Sequence, residues 1–272
     1  MPIFRASAIM LALLLGPAYG QGWPLDEMNT AINSTNFIVN GGCSGTLISL
    51  KEKLILTNHH CIEGSVSSVE REITDDIGNV RKVKVRKYDD VAVVQNRYDG
   101  FIKAGSASYV TEIVAEAKTS DLAVLRIRGD IPHGYASPLL PDGAKVVRGE
   151  RVYIVGNPAG EDATLVEGVV SNVNRTFEFP WTNGSKLPMI QISGGIYGGN
   201  SGGAAYNAKG QLIGVPSAGY RVATFIGFAI PVEVVKLFLK DACLASIFDS
   251  TADDKKCRDE AKKKKREAVR AE

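Results

Sequence analysis

The sequence of 272 residues has little of several features that mark specialised classes of protein. Its formal net charge is only +2, from 32 Lys and Arg against 30 Asp and Glu, so charge gives no general attraction to nucleic acid. The 28 Gly and 11 Pro show no fixed period, which excludes a collagen-like chain. Apolar residues make up 44% and charged residues 23%, which are the proportions of an ordinary globular protein rather than a disordered one.

Histidine and cysteine are also scarce, which limits the chemistry to consider. The three histidines are His59, His60 and His133. The four cysteines permit two disulfides without establishing either one. A chain of this length can bury about 70–75% of its unfolded surface, so it needs no metal for folding. We predict no metal site and no cofactor.

Long hydrophobic runs are absent except near the N-terminus. An apolar run at 8–15 follows a single charge at Arg5, and it is shorter than the roughly 20 residues that span a bilayer. Small residues follow at Ala18 and Gly20. This pattern is typical of a secretory signal peptide over residues 1–20, and a membrane anchor is the alternative. We therefore expect a secreted or periplasmic protein in an oxidising compartment, where disulfides persist.

Short apolar runs separated by turn residues dominate the rest of the chain. Examples lie at 54–57, 122–127, 152–155 and 212–215, and many such runs are bounded by Gly, Asn, Asp or Pro. This spacing predicts an all-β protein, either a sandwich or a pair of barrels.

One helix and a charged tail are predicted near the C-terminus. Pro231 suits a first helical turn and apolar residues follow at helical spacing, so we predict a helix over 231–245. Residues 249–272 form a charged basic tail, which is either frayed or held as a solvated helix by acid–base pairs four residues apart. Its basic run at 262–266 could make weak contact with an anionic surface.

Two motifs place a histidine and an acid at the ends of strands. His59 and His60 closely follow the apolar run 54–57, and a strand end can hold an imidazole rigidly toward a cleft. Asp121 precedes the run 122–127, where an acid could orient a histidine or simply cap a strand.

The third motif is a glycine-rich stretch, Tyr197–Gly203, in which two glycines stand on each side of Asn200 and Ser201. Glycines let the backbone turn sharply and approach a ligand closely. Such a loop can point several N–H groups at one spot, as an oxyanion requires. A tight hairpin is the alternative.

Together the motifs resemble those of trypsin-like serine proteases. The stretches Thr57–Cys61, Ser120–Leu125 and Gly199–Gly203 appear in the family's His, Asp, Ser order. Gly156–Gly160 and Gly227–Pro231 are similar to the bacterial Deg/HtrA branch of that family.

The resemblance covers roughly residues 37–240, within a protease domain expected at 21–248. It implies two six-stranded antiparallel β-barrels, at roughly 37–130 and 145–230, with the site in the cleft between them. The PDZ domain that is usual in the Deg/HtrA branch is not expected, because only about 30 residues follow the last predicted helix.

The resemblance also implies a role for each candidate residue. His60 matches the general base, Asp121 the orienting acid and Ser201 the nucleophile. The backbone N–H groups of Gly199 and Ser201 match the oxyanion hole.

The resemblance places the primary specificity pocket as well. Its base falls at Gly195 with Ile196 beside it, and its far wall falls at Ser217, Ala218 and Gly219. A preference for Lys or Arg would need a buried acid there, and this stretch has none. We therefore predict small or medium uncharged side chains at P1, the residue before the cleaved bond.

Two disulfides are implied in the same way. Cys43 and Cys61 match a bridge beside the catalytic histidine of trypsin-like enzymes, although many Deg-type enzymes lack it. Cys243 and Cys257 are then left to pair with each other. Free thiols or an intermolecular bridge are the alternatives for this second pair.

The chain departs from the family pattern between the histidine and the acid. Asp121 lies 61 residues after His60, a longer separation than this branch leads us to expect, so we predict an insertion at roughly 64–108. The insertion contains a competing acid, Asp90, within a similar motif. We prefer Asp121 because the strand motif that ends at Asn157 follows it at a plausible distance.

These observations predict a secreted serine endopeptidase that acts on protein or peptide substrates through a Ser-His-Asp triad and an acyl-enzyme. One alternative is a catalytically silent protein that uses the protease fold for binding. Another is a surface-binding protein that acts through its basic tail. No nucleic acid partner is expected.

Overall fold

The structure is a computed structural model that describes residues 24–35, 37–74, 78, 80–99, 102–129, 135–182, 184–220 and 222–271. The predicted signal peptide and His133 lie outside the described residues. No helix in this part of the chain is long and apolar enough to cross a membrane. In chain order the elements are α1 (Leu25–Ser34), β1 (Phe37–Val39), β2 (Cys43–Ser49), β3 (Leu54–Thr57), β4 (Val66–Thr74), β5 (Val80–Tyr88), β6 (Val91–Asp99), β7 (Ile102–Ala117), β8 (Leu122–Ile127), β9 (Arg151–Gly156), β10 (Thr164–Glu178), β11 (Lys186–Ser193), β12 (Ala204–Tyr206), β13 (Leu212–Gly219), β14 (Ile226–Pro231), α2 (Val232–Asp241) and α3 (Asp254–Ala271).

Twelve of these strands close into two six-stranded antiparallel barrels, which confirms the predicted fold class. The first barrel has the order β1-β2-β3-β8-β7-β6 and closes where β1 pairs with β6. The second has the order β10-β11-β14-β13-β12-β9 and closes where β9 pairs with β10.

Strand β3 shows why the two barrels pack side by side. Its side chains alternate, so Ile55 enters the core of the first barrel while Leu54 and Leu56 face the other way. These two leucines belong to a cluster that also contains Val155 and Tyr206 of the second barrel. Both faces of β3 are therefore buried, which explains its uninterrupted apolar run and holds the barrels together on either side of a cleft.

The helices differ in detail from the prediction. Helix α2 follows Pro231 and ends before Cys243, whose φ of 56° is left-handed, so the helix is shorter than the range 231–245. It buries Val235, Phe238 and Leu239. The charged tail contains the regular helix α3, in place of a frayed coil. Helix α1 was not predicted from the sequence pattern.

The segment predicted as an insertion, 64–108, divides into two parts. Strands β4 and β5 pair with each other as a separate two-stranded sheet, which we call the hairpin 66–88. Strand β6 and the start of β7 belong instead to the first barrel, where Val91 and Val93 are buried. The segment 64–108 therefore contains both a separate hairpin and strands of the first barrel.

Two disulfides join cysteines that lie 18 and 14 positions apart in the chain. Cys43 at the start of β2 is bonded to Cys61, and Cys243 after α2 is bonded to Cys257 in α3. Cys61 is 7% exposed and belongs to the core cluster of the first barrel. The second disulfide attaches the tail helix to the end of α2.

The Cys43–Cys61 disulfide should contribute more to stability than the Cys243–Cys257 disulfide. Replacing Cys43 and Cys61 by Ser should lower the free energy of unfolding by about 2–4 kcal/mol, because the unfolded chain gains entropy and a core contact is lost. The matched control replaces Cys243 and Cys257 by Ser, which frees a peripheral helix, and should lose less. Urea unfolding measures both losses, and an equal loss in the two double variants would contradict this ranking.

Candidate active site

The carboxylate of Asp121 lies at the centre of a set of hydrogen-bond donors. Asp121 is fully buried and has a left-handed φ of 52°, just before β8. Its Oδ1 accepts the backbone N–H of His60 at 3.0 Å, and its Oδ2 lies 2.9 Å from Nδ1 of the same ring. Oδ2 also accepts the hydroxyl of Ser217 at 2.7 Å and the indole N–H of Trp181 at 3.1 Å. Because all these partners can donate, the carboxylate is held as an acceptor on both oxygens.

This arrangement sets the tautomer of His60. A carboxylate can only accept, so Nδ1 of His60 carries the proton and Nε2 keeps its lone pair. The segment before His60 is fixed too, since the side-chain amide of Asn58 donates to the carbonyl oxygen of Asp121 at 2.8 Å. The side chain of His60 is 23% exposed, so the ring is accessible from the cleft.

Ser201 lies in the glycine-rich loop between β11 and β12. Its carbonyl oxygen accepts the backbone N–H of Ser44 at 2.8 Å, which fixes the loop to the first barrel. Its hydroxyl donates to the carbonyl oxygen of Ser217 at 3.4 Å. This long hydrogen bond leaves the hydroxyl hydrogen able to turn toward another acceptor by rotation about the Cβ–Oγ bond.

Two glycines of this loop are required by their surroundings. Gly199 has a φ of 104°, and a Cβ there would lie 2.2 Å from the carbonyl oxygen of Asn157. Gly202 has a φ of 82°, and a Cβ there would lie 2.2 Å from the carbonyl oxygen of Ser44. Any side chain at either position would push the loop away from its partners.

The peptide group between Gly198 and Gly199 has a defined orientation. The carbonyl oxygen of Gly198 accepts the backbone N–H of Ala159 at 2.8 Å. In a trans peptide the N–H points away from the carbonyl, so the N–H of Gly199 faces away from Ala159. Ser44 donates its hydroxyl to the carbonyl oxygen of Gly199 at 2.7 Å, which holds the next peptide group as well.

A cavity of about 450 Å³ lies in the cleft. The side chains of His60 and Ser201 line it. Four of the five predicted pocket residues also line it, namely Ile196, Ser217, Ala218 and Gly219.

Gly195, the predicted base of the pocket, does not line the cavity. Gly195 is covered by the ring of Tyr197, since a Cβ on Gly195 would lie 2.4 Å from that ring, and Gly195 is not among the lining residues. The side chain of Ile196 instead lies against Gly227, where a Cβ would be 2.5 Å from Cγ1 of Ile196. The isoleucine therefore occupies space that a deeper pocket would leave open.

The competing acid lies on the surface. Asp90 precedes β6, and its side chain is 51% exposed and paired with Arg128 at 2.8 Å. Its neighbour Asp89 is 56% exposed and pairs with Lys87. Of the two acidic motifs, only the one at Asp121 contacts His60 in the structure.

His59 belongs to a separate buried cluster beside the site. Its Nε2 lies 3.3 Å from Oε2 of Glu116, whose side chain is 1% exposed. Arg86 of the hairpin 66–88 pairs with the other oxygen of Glu116, and the hydroxyl of Tyr88 donates to that oxygen at 3.3 Å. Burial lowers the pKa of His59, and the nearby carboxylate of Asp121 only partly opposes this effect. The cluster ties the hairpin to the barrel next to the site.

Two residues of the site were not predicted. Trp181 is one of only two Trp in the chain and follows Phe177 and Phe179, and this aromatic run was the available signal. Glu116 occupies an ordinary position in β7, and the sequence carried no signal for its burial.

One group among the described residues has the spacing of a metal site, namely Cys43, His60 and Cys61 within 4.8 Å of one another. The two sulfur atoms are bonded to each other, so neither is a thiolate that could bind a metal. We assign no metal site to this group.

Comparisons with known sequences agree with this geometry. Residues 43–215 match the family described as the trypsin-like peptidase domain. An HtrA-like serine protease of Staphylococcus aureus (strain USA300) is 34% identical over 146 residues, which are 51% of this chain and 19% of that protein. A putative serine protease, HhoA, of Synechocystis sp. is 31% identical over 222 residues, which are 80% of this chain and 45% of that protein. The chain spans less than half the length of either relative.

Solved structures show the same fold. The HtrA-type protease AlgW with a decapeptide has a TM-score of 0.53 at 24% identity, covering 74% of this chain and 51% of that one. The serine endoprotease from Yersinia pestis has a TM-score of 0.55 at 22% identity, covering 79% of this chain and 66% of that one. The chain belongs to the trypsin-like peptidase domain family. The proteins that it resembles include HtrA-like serine proteases, as the motifs indicated.

Acidification should destabilise the protein through His59. The pKa of His59 is lower in the folded protein than in the unfolded chain. As the pH falls below about 6.5, the unfolded chain therefore binds more protons than the folded protein does. We expect the free energy of unfolding to fall between pH 7 and pH 5, and to fall less in His59→Asn. Urea unfolding at each pH measures this dependence. Parallel curves for the wild type and the variant would contradict the assignment.

Proposed function

We propose that this protein is a secreted serine endopeptidase with Ser201 as nucleophile, His60 as general base and Asp121 as the acid that orients the base. One observation carries the proposal. The buried carboxylate of Asp121 holds Nδ1 of His60, and the same ring lines a cavity with Ser201. A carboxylate–imidazole pair beside a serine is the arrangement that activates a weak hydroxyl nucleophile.

The proposed reaction proceeds through an acyl-enzyme. The hydroxyl of Ser201 gives its proton to Nε2 of His60 as its oxygen attacks the scissile carbonyl carbon. The tetrahedral intermediate collapses when His60 donates that proton to the leaving amine, which leaves an ester on Ser201. Water, deprotonated by His60, then attacks the ester carbon. The bond to Oγ of Ser201 breaks, His60 returns the proton to Oγ, and the acid is released.

The backbone N–H groups of Gly199 and Ser201 are proposed as the oxyanion hole. The hydrogen bond from Ala159 to the carbonyl oxygen of Gly198 supports this role, because it turns the N–H of Gly199 the other way. Donors that are already oriented need no reorganisation during the reaction, and loss of one such donor typically costs about 3–4 kcal/mol.

The substrate is proposed to carry a small or medium uncharged side chain at P1. Among the described residues that line the cavity, none has a carboxylate that could pair with Lys or Arg. The side chain of Ile196 is the apolar floor, and Ser217, Ala218 and Gly219 form the wall. Gly195 lies beneath Tyr197 and has no part in this proposal.

Export is part of the proposal. It is supported by the signal-peptide pattern in residues 1–20 and by two disulfides, which persist in oxidising compartments. Lys262, Lys263 and Lys264 are exposed on α3 and could make weak, salt-sensitive contact with an anionic surface.

Substitutions in the triad should separate the two candidate acids. Ser201→Ala should abolish peptide turnover because it removes the nucleophile. Asp121→Asn should lower kcat by around four powers of ten, since the histidine loses its orientation and tautomer. Asp90→Asn is the matched control and should retain activity close to that of the wild type. Peptide hydrolysis measures all three variants, and a larger loss in Asp90→Asn than in Asp121→Asn would reverse the assignment.

The floor of the pocket should set the size of P1. Ile196→Ala removes the side chain that lies over Gly227, so the preferred P1 residue should change from Ala or Val to Leu or Phe. A peptide library that varies only P1 measures this preference. An unchanged profile would show that Ile196 is not the floor, and cleavage mainly after Lys or Arg in the wild type would contradict the uncharged pocket.

A further inference from the structure

Trp181 connects the second barrel to the acid of the first. It lies in the turn at 180–182, between β10 and β11, and its Nε1 donates to Oδ2 of Asp121 at 3.1 Å. Its ring also lies 5.2 Å from the ring of His60, between centroids, at an angle of 49°. The indole is half-buried and lines the cavity. One side chain therefore touches the acid, the base and the space for substrate.

The turn that carries Trp181 is held firmly. The ring of Phe179 stacks on the indole at 5.0 Å with an interplanar angle of 9°. The buried hydroxyl of Thr182 accepts the backbone N–H of Phe179 at 3.2 Å and donates to the carbonyl oxygen of Ser185 at 2.8 Å. Such packing holds the indole N–H in place before any substrate arrives.

The position of the indole relative to the pocket indicates which substrate residue it meets. Successive side chains of an extended peptide point to opposite sides. If P1 lies over Ile196, the side chain of the preceding residue, P2, points away from that pocket. The rings of His60 and Trp181 line the same cavity as Ile196 and give it an apolar surface.

We propose that Trp181 is a positioning residue for the Asp121–His60 pair and the apolar wall of the P2 subsite. The proposal rests on the proposed peptidase function. The indole N–H of Trp181 disperses negative charge on the carboxylate of Asp121 and limits rotation of that carboxylate. The indole ring receives the P2 side chain. An apolar P2 residue packs on the indole and excludes water from the hydrogen bond to Asp121, so it should raise kcat as well as lower KM.

Two substitutions of Trp181 distinguish the role of its N–H from the role of its ring. Trp181→Phe keeps an aromatic ring but removes the donor, and should lower kcat about tenfold, as for loss of a hydrogen bond to a charged group. Because the carboxylate then keeps more negative charge facing His60, the acid limb of the pH profile of kcat/KM should move to higher pH. Trp181→Leu should show the same loss and also lose the preference for Leu over Gly at P2. Phe225→Leu removes an exposed aromatic ring outside this cluster and should behave as the wild type.

A Trp181→Phe variant with wild-type kcat and pH profile would overturn the positioning role, and a Trp181→Leu variant that still prefers Leu at P2 would overturn the subsite. If either variant fails to fold, replacing the indole by benzothiophene removes only the N–H and retains the shape of the ring. A wild-type protein without peptide turnover would instead contradict the proposed function itself.

Discussion

The buried carboxylate of Asp121 is the constraint on which the site depends. A charge without solvent is strongly destabilising unless donors surround it, so its neighbours must be in place for the fold to accept it. The donors come from both barrels: the backbone and ring of His60 from the first, and Ser217 and Trp181 from the second. The need to satisfy this carboxylate therefore couples the packing of the two barrels to the geometry of the imidazole.

Strands that are buried on both faces fix the two barrels relative to each other and so keep the donors in place around Asp121. In β8, which begins directly after Asp121, Leu122 and Val124 join the cluster between the barrels, and Leu125 enters the core of the first barrel. A strand fixed on both sides cannot shift its register without exposing apolar side chains. The acid at its start is consequently held in one position relative to the cleft.

The sequence could predict the fold and the residues that stand in short motifs. His60, Asp121 and Ser201 were recognisable because a strand end, an acid before a strand and a glycine-rich loop each leave a local pattern. Trp181 leaves little pattern, because its contact with Asp121 is made only when β10 and β11 bring their connecting turn across the cleft. The covering of Gly195 by Tyr197 likewise depends on how the loop folds, and the separation of the hairpin 66–88 from β6 depends on strand pairing rather than periodicity.

The central claim is that Ser201 is a nucleophile activated by His60 and Asp121. Fluorophosphonate labelling of the purified protein, followed by mass spectrometry of its peptides, tests this claim directly because the reagent reacts with an activated serine and not with an ordinary hydroxyl. We expect one label per chain, on Ser201. The absence of labelling, or a label on another residue, would contradict it.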